Sequence, residues 1–545
     1  MSTGVIGAIY FTYFAGSYTI KYQTLTSADG TQLASLVYTP KNVSSGNLPG
    51  IVIGHGFTSN KQTMQGIALE LVKCGFVVIS IDFRGHGQSG GDIGEERNEY
   101  GEENKLVDDV YAAVQYLKGL LYVNNNSIGL VGHSMGGAAV MGTAISYPNE
   151  INATVSIGMV GENDSRYEIN GTAIKNLLLA VGALEELISY DMAIEFLKNV
   201  TTLDSVTDGV LYGSFDNGTA AKLFMAPRAD HILEITDRDI INETCTWFRS
   251  SFYTGSVQPI TNNLRQTFII LAALGSLLGF FVFATYLKPV VFKGRPDNPR
   301  KIEDPHSKKK LLIYIGGYCL VNIIAFVLLL PMSSLFESNL NLLMSNYLIG
   351  LFSGYAIGLF LVFYLIHRFV EKDPRSYVRR IKDDLSNNFS RSILFGLLIF
   401  LYSFGSLTAI LHWSLFDLLP TTREWGATIT VAFLIFPYVF FDQVYLRNMQ
   451  SYVHQGRLKE LIKVVVLNSL AKLLLFIPIL FINLGFASLI ILILVVAFPF
   501  LEILATWVYM YSGRNILSPA IYTTLILAWF LVALMPFGNY AYTLV

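Results

Sequence analysis

A serine at position 134 lies in a turn that two glycines make sharp. The sequence is Gly132-His-Ser-Met-Gly136, which follows an apolar run ending at Val131 and precedes a stretch rich in alanine, methionine and isoleucine. The first run predicts a buried strand and the second a helix. Because glycines remove the side chains that would collide in a tight strand-to-helix turn, we expect Ser134 at its tip with an exposed hydroxyl. The adjacent helix N-terminus favours developing negative charge, so Ser134 is a candidate nucleophile.

A serine hydroxyl needs two partners before it can act as a nucleophile. A base must take its proton, and a carboxylate must fix the tautomer of that base and stabilise its positive charge. Histidine is the usual base, and the chain contains eight histidines. Which of them takes this role depends on the part of the chain that folds around Ser134.

Hydrophobicity divides the chain of 545 residues into two parts. The first 260 residues mix charged residues with short apolar runs, whereas long apolar segments alternate with short polar loops from Thr267 onward. We therefore expect a soluble domain at 18–255 and a membrane domain of about eight helices at 256–545. The expected spans are roughly 267–287, 311–331, 346–370, 393–412, 427–446, 464–486, 487–511 and 516–536. The apolar segment within residues 1–17 is either a short signal anchor or the remnant of one that began upstream.

Lysine and arginine are concentrated in alternate loops of the second part. Loops 288–310, 371–392 and 447–463 carry many of them, whereas loops 332–345 and 413–426 together carry only Arg423. Basic loops stay in the cytoplasm, which places the first domain outside. Asn-x-Ser/Thr glycosylation triplets agree, with eight in the first part and one, at Asn388, in the second. We expect a multi-pass cell-membrane protein whose first domain is extracytoplasmic.

The composition argues against a nucleic-acid partner, a cofactor and a metal ion. The net charge is −2 and no basic run with interleaved aromatic residues occurs, so we expect no nucleic-acid partner. The three cysteines, at 74, 245 and 319, have neither metal-ligand spacing nor a paired framework. We expect neither a cofactor nor a metal ion.

Strands and helices alternate along the first part. Runs at 18–26 and 31–38 predict an antiparallel hairpin. Further strands are predicted at 50–54, 76–81, 153–160, 177–182 and 221–226 besides the one before Ser134, with helices that include 104–117 and 189–199. This alternation requires a mostly parallel sheet with helices on both faces, which is an α/β fold.

Three motifs in this part resemble those of the α/β-hydrolase family. They are His55-Gly-Phe57, Asp82-Phe-Arg-Gly-His-Gly-Gln-Ser-Gly90 and Gly132-His-Ser-Met-Gly-Gly137, in the order and spacing that the family shows. The resemblance covers residues 18–252 and points to the serine-aminopeptidase-like and dienelactone-hydrolase-like branches. It implies an α/β-hydrolase domain, with a serine, an acid and a histidine in that order along the chain.

The resemblance also assigns the remaining site residues. His231 is the only histidine after Ser134 within the first part, so we expect it to be the base. Glu185, in the turn Gly-Ala-Leu-Glu, matches the acid position of the family with glutamate for aspartate. Asp164, in Gly-Glu-Asn-Asp, has the same spacing one strand earlier and remains an alternative acid.

Two backbone N–H groups should form the oxyanion hole, those of Met135 and, by position, Phe57. We interpret His55, His86 and His133 as structural, because they precede the serine. The nucleophile, base, acid and oxyanion donors all fall between Phe57 and His231, so we expect no site residue from the second part.

The second part holds a weaker resemblance. Asp442-Gln-Val-Tyr-Leu-Arg447 and Tyr511-Ser-Gly-Arg-Asn515 are similar to motifs of CAAX-protease-like membrane proteins, but the paired glutamates and the histidines of that family are missing. The charged residues Asp442, Lys472 and Glu502 lie inside predicted spans, where they are either functional or paired for structure.

These observations predict a membrane-anchored serine hydrolase with an extracytoplasmic catalytic domain. It would cleave an ester, thioester or peptide bond of a small-molecule or peptide substrate through an acyl-enzyme on Ser134, with the lipid bilayer as its other partner. The alternative is a polytopic membrane scaffold or transport-associated protein whose hydrolase-like domain binds ligands without catalysis.

Overall fold

An eight-stranded sheet organises the first part of the chain in this computed structural model. Its strands are β1 Tyr18–Thr26, β2 Gln32–Pro40, β3 Leu48–Gly54, β4 Val77–Ile81, β5 Val123–His133, β6 Ala153–Ile157, β7 Leu177–Gly182 and β8 Ala221–Ala226. The order across the sheet is β1-β2-β4-β3-β5-β6-β7-β8. β1 pairs with β2 and β2 with β4 in antiparallel fashion, and the remaining neighbours are parallel. The predicted hairpin and mostly parallel sheet are confirmed.

The structure describes the chain except for residues 42, 44–46, 94–104, 162–173, 295–306, 337–340, 344, 373–374, 413, 454–457, 474–485 and 539–545.

Helices cover the sheet on both faces. α1 Ser2–Tyr13 precedes the sheet and packs through Ala8 on Ile269 and Ala272. The covering helices are α2 Gln65–Lys73, α3 Lys105–Lys118, α4 Met135–Ser146, α5 Tyr190–Thr201 and α6 Arg238–Phe252. One apolar core contains residues of α3, α4 and α5, and a second contains residues of α2 and α6. Strands β4, β6 and β7 are buried along their whole length, as expected for strands packed on two faces.

The described chain forms two compact units, and the first is not limited to one stretch of sequence. It comprises Met1–Gly275, Leu407–Thr421 and the segment that begins at Pro536. In that last segment the Phe537 N–H donates to the Gly85 carbonyl at 2.8 Å, and the Phe537 carbonyl accepts from the Ile93 N–H at 2.8 Å. The unit built around the sheet thus extends beyond the boundaries 18–255 expected from sequence.

The second unit comprises Ser276–Ser406 and Thr422–Met535 and is helical. The helices of the second part of the chain are α7 Asn262–Val291, α8 Lys308–Phe336, α9 Ser345–Ile366, α10 Tyr377–Ser386, α11 Phe389–Leu411, α12 Thr422–Gln450, α13 Leu458–Leu473, α14 Phe486–Tyr511 and α15 Leu517–Leu534. Among the described residues six helices are long and apolar enough to cross a membrane: α7, α8, α9 with its continuation to Glu371, α11, α12 and α15. The two other expected spans, 464–486 and 487–511, fall on α13 and α14 and partly on residues that the structure does not describe.

Charged side chains in the second unit pair with one another. Lys472 Nζ lies 2.9 Å from Asp442 Oδ2 and 3.2 Å from Glu502 Oε2. Glu502 also contacts Arg447, at 3.1 Å, and Tyr318 donates its hydroxyl to Asp442 at 2.7 Å. All of these side chains are buried. Two acids and two bases therefore balance one another inside the helices, which is the structural pairing considered from sequence.

Candidate active site

Ser134 sits at a strained turn between β5 and α4. Its backbone has φ 52° and ψ −119°, a conformation that residues other than glycine rarely adopt. A Cβ added at Gly132 would lie 2.1 Å from the Gly136 carbonyl oxygen, and one added at Gly136 would lie 2.4 Å from the Gly54 carbonyl oxygen. The two glycines are thus required because backbone passes where their side chains would be.

A chain of hydrogen bonds joins three side chains at the carboxyl ends of the strands. His231 Nε2 lies 3.0 Å from Ser134 Oγ, and His231 Nδ1 lies 2.8 Å from Glu185 Oε2. A carboxylate only accepts, so Nδ1 carries the proton and Nε2 accepts from the serine hydroxyl. Ser134 follows β5, Glu185 follows β7 and His231 follows β8. The parallel sheet brings together these three predicted residues, which are far apart in sequence.

Glu185 is fixed by its own turn. Its Oε1 accepts from the N–H groups of Leu187, at 2.8 Å, and Ile188, at 3.3 Å, which leaves Oε2 for His231. Burial raises the pKa of Glu185, but the hydrogen bond and the charge of His231 outweigh burial and hold that pKa below its ordinary value. The neighbouring Glu186 accepts from the His231 backbone N–H at 3.2 Å. The alternative acid, Asp164, lies outside the described residues.

The loop at residues 55–62, called the oxyanion loop below, passes beside the serine. A Cβ added at Gly56 would lie 3.3 Å from Ser134 Cβ. His55 Nδ1 donates to the Gly56 carbonyl at 2.7 Å, and its Nε2 accepts from the Phe83 N–H at 3.1 Å. Burial lowers the pKa of His55 to about 4, which keeps the ring neutral with its proton on Nδ1. Since C=O and N–H point in opposite directions across a trans peptide, this bond also sets the direction of the Phe57 N–H.

The second expected oxyanion donor, Met135, is the first residue of α4. The first N–H groups of a helix have no partner within the helix, and the helix dipole there favours an anion. The structure thus places Met135 directly after Ser134, and it places Gly56, the residue before Phe57, beside the serine.

Glu234 and His133 complete the surroundings of His231, and sequence reasoning did not assign either to the site. Glu234 is fully buried, and its Oε1 accepts from the Gly182 N–H at 2.6 Å. Burial, and then the charge of Glu185, raise the pKa of Glu234 to about 10, so its carboxyl stays protonated in the folded protein below that pH. His133 Nε2 donates to the His231 carbonyl at 2.9 Å. No motif marks these partners, because Glu185 and His231 reach them only through the folded loops.

Metal-ligating atoms also come together here. Side-chain donors of His133, His231 and Glu234 lie within 4.8 Å of one another. However, His133 Nε2 is committed to the His231 carbonyl, and both ring nitrogens of His231 are committed to Ser134 and Glu185. These hydrogen bonds explain why the side chains lie close together. We still predict that the site holds no metal ion.

Comparison with known proteins agrees with this architecture. Residues 49–202 match the family model described as serine aminopeptidase, S33. A monoacylglycerol lipase of Mycolicibacterium smegmatis is 28% identical over 131 residues, which cover 24% of this chain and 43% of the lipase. A thiohydrolase, AneE, of Aspergillus aculeatus is 29% identical over 144 residues, which cover 26% of this chain and 42% of that protein. The chain thus spans less than half the length of these curated relatives.

Two solved structures also have low sequence identity to this chain. An esterase of Pyrococcus furiosus is 19% identical with a TM-score of 0.33, over 43% of this chain and 91% of the esterase. A CIB-like hydrolase of Thermoplasma acidophilum is 14% identical with a TM-score of 0.34, over 43% of this chain and 99% of that chain.

The sheet, the turn that carries Ser134 and the family match define the first part of the chain as an α/β-hydrolase domain. Within that class the domain is similar to a lipase and a thiohydrolase over part of their length. It is followed by a helical part in which six of the described helices are long and apolar enough to cross a membrane.

Proposed function

We propose that this protein is a membrane-anchored serine hydrolase that cleaves an ester, thioester or peptide bond through an acyl-enzyme on Ser134. The observation that carries the proposal is the hydrogen-bond chain from Ser134 Oγ to His231 Nε2 at 3.0 Å and from His231 Nδ1 to Glu185 Oε2 at 2.8 Å. A nucleophile, a base and an orienting acid in this arrangement are the parts that acyl transfer requires.

Acylation follows from the positions of these atoms. Ser134 Oγ attacks the substrate carbonyl carbon while His231 Nε2 takes the hydroxyl proton, and the charge of Glu185 stabilises the resulting imidazolium. The N–H groups of Phe57 and Met135 would bind the carbonyl oxygen as it becomes negative. When the intermediate collapses, the alcohol, thiol or amine leaves with the proton from His231, and the acyl group stays on Ser134.

Water completes the cycle. His231 Nε2 takes a proton from water, whose oxygen attacks the acyl carbon, and the same N–H groups bind the second tetrahedral intermediate. Collapse returns the proton to Ser134 Oγ and releases a carboxylic acid.

Exposed apolar side chains beside the site favour an apolar acyl group. Leu184 precedes Glu185 and is 61% exposed, and Ile232 and Leu233 follow His231 and are 45% and 51% exposed. An apolar acyl chain that covered them would gain roughly 25 cal/mol per Å² of buried surface. Lipase and thiohydrolase activities named for two relatives point the same way.

The charge pattern supports an extracytoplasmic position of the catalytic domain. The loops rich in lysine and arginine alternate with loops that have almost none, as in proteins whose basic loops remain in the cytoplasm. The domain before α7 then lies on the opposite side, where it would meet substrates outside the cell.

The proposal is tested by turnover of nitrophenyl esters of increasing acyl length by the purified full-length protein. We expect kcat/KM to rise with chain length and Ser134→Ala to abolish turnover. Ser251→Ala, at a half-buried position of α6, is the matched control and should retain it. If folded wild-type protein binds such esters without hydrolysing them, the non-catalytic scaffold is the correct alternative.

A further inference from the structure

The residue after the expected oxyanion donor has an unfavourable backbone conformation. Thr58, which follows Phe57, has a φ of 58°. A β-branched residue is rarely found in this region, and such strain persists only where the surrounding structure enforces it. The direction of the Phe57 N–H therefore depends on what holds the oxyanion loop on each side of Thr58.

Before Thr58 the loop is held by His55, as described above. After Thr58 it is held by Asp82, whose carboxylate accepts from the Lys61 N–H and pairs with Lys61 Nζ, both at 2.6 Å. Both side chains are at most 1% exposed. Asp82 thus fixes Lys61. Among the hydrogen bonds of the described residues, none joins Asp82 to the side chain of Asn60 or Gln62.

Those neighbours are held by Asp417, which lies more than 350 residues later in the first compact unit. The Asn60 side chain accepts from the Asp417 N–H at 3.2 Å and donates to the Asp417 carbonyl at 3.3 Å. Gln62 Nε2 donates to Asp417 Oδ2 at 3.3 Å, and Lys61 Nζ lies 3.7 Å from the same oxygen. One residue thus contacts three successive residues of the oxyanion loop.

The carboxylate of Asp417 is itself held in one orientation. Its Oδ1 accepts from His412 Nδ1 at 2.5 Å and from the Leu419 N–H at 3.1 Å, and its side chain is 1% exposed. Because it is buried, loss of its charge would leave the amide of Gln62 and the ammonium of Lys61 with weaker partners that water cannot replace.

The segment that carries Asp417 is also tied to the helix after the oxyanion loop. Arg265 is 1% exposed and donates to the Ser414 carbonyl and to Gln65 Oε1, the latter at 3.0 Å. Gln65 is the first residue of α2. Asp417 is therefore anchored through Arg265 to α2.

From these contacts we infer that Asp417 is a positioning residue that holds the oxyanion loop in the conformation aiming the Phe57 N–H at the substrate carbonyl. The inference rests on the proposed serine-hydrolase function. It differs from the expectation that every contribution to the site falls between Phe57 and His231, since Asp417 comes from the segment between α11 and α12.

The test compares full-length variants by fluorophosphonate labelling and ester turnover. Asp417→Asn keeps the shape of the side chain and removes its charge, and Asn60→Ala removes the contacts with the Asp417 backbone. Glu243→Gln is the matched control, because it removes the carboxylate of another pair, with Lys222 at 2.8 Å, far from the oxyanion loop in sequence. The labelling stoichiometry counts folded sites, and the labelling rate constant reports on the oxyanion hole.

We expect Asp417→Asn and Asn60→Ala to keep full stoichiometry, while the labelling rate constant and kcat fall roughly 10- to 100-fold. KM should change little, because the oxyanion hole binds the transition state more strongly than the substrate. If the rate constants of Asp417→Asn and Asn60→Ala equal those of wild type and Glu243→Gln, the inference is wrong. This holds even if the labelling stoichiometry drops, because Asp417 would then support only the fold. Folded wild-type protein that neither labels nor hydrolyses esters would overturn the proposed function, and this inference with it.

Discussion

His231 is held from four directions, and this confinement is the basis of the proposed chemistry at the scale of single residues. Its two ring nitrogens bond Ser134 and Glu185, its backbone N–H donates to Glu186, and its carbonyl accepts from His133. A base held in this way needs little reorganisation when the serine proton moves. The two glutamates differ in role, because only Glu185 faces the ring.

The difference between the glutamates leads to a prediction for a matched pair of variants. Glu185→Gln should lower kcat on the order of a thousandfold or more, because a neutral amide neither fixes the productive tautomer nor stabilises the imidazolium. Glu186→Gln should change kcat only a few-fold, since its amide oxygen can still accept from the His231 N–H. Steady-state ester hydrolysis by both proteins is the measurement, and equal losses would mean that Glu185 is not the acid.

The buried Glu234 predicts a pH dependence of stability. Its pKa is raised to about 10 in the folded protein, against roughly 4.3 in an unfolded chain. Between these values the unfolded chain releases a proton that the folded protein retains, so the contribution of Glu234 is complete below the lower pKa and is lost as pH rises through the higher one. Glutamine at this position does not titrate.

We therefore expect the melting temperature of wild type to fall relative to that of Glu234→Gln between pH 5 and pH 9, in scans of the full-length protein in detergent. Parallel curves for the two proteins over this range would show that Glu234 has no raised pKa.

Residues that follow from a local motif were predictable, and those that depend on folding were not. Ser134 lies in a Gly-x-Ser-x-Gly turn, and Glu185 and His231 follow from family order once the strands are placed. Glu234 and Asp417 act on groups brought to them by distant elements, and no spacing in the sequence encodes such a meeting. The need for glycine at 132 and 136 was predictable as well, because the turn that leaves no room for side chains there is local.

At the scale of elements, the alternation of strands and helices was predicted well because each strand is short, apolar and bounded by turn residues. β7, for example, runs from Leu177 to Gly182, as the apolar run indicates. The helical part was harder, since two adjacent apolar segments between 464 and 511 carry no clear boundary. Hydropathy reports length and polarity, but it does not report which side chains pair inside the helices.

The pairing of α12, α13 and α14 yields a stability prediction. Lys472 lies between Asp442 and Glu502, all three buried. Lys472→Met should destabilise the protein by about 3–5 kcal/mol, because it leaves Asp442 without a cation. Combining it with Asp442→Leu should restore most of the stability, since the uncompensated charge is then removed. Thermal melts of both variants test this, and a single variant as stable as wild type would show that the pair contributes nothing.

At the scale of the whole molecule, the first compact unit draws on three separate parts of the sequence. The segment Leu407–Thr421 begins in the last turn of α11, and the segment from Pro536 follows α15, yet both belong to the unit that contains the sheet. The division expected at residue 255 used composition alone, which cannot show where short polar segments dock.

The expected orientation can be measured in intact cells with a thiol reagent that does not cross membranes. Leu121→Cys, at a position 93% exposed in the hydrolase domain, should react from outside. Lys309→Cys, at an exposed position in the first turn of α8, next to the basic loop, should react only after permeabilisation. Cys74 and Cys245 are buried and should contribute little background. The reverse pattern would place the hydrolase domain in the cytoplasm.

We propose that Ser134 is the nucleophile of the intact protein. The most direct measurement is to treat the folded, full-length chain with a fluorophosphonate, digest it and locate the adduct by mass spectrometry. We expect one adduct, on Ser134, that is absent from Ser134→Ala and forms far more slowly in His231→Ala, because the hydroxyl then lacks its base. An adduct on another residue, or none on folded wild-type protein, would contradict it.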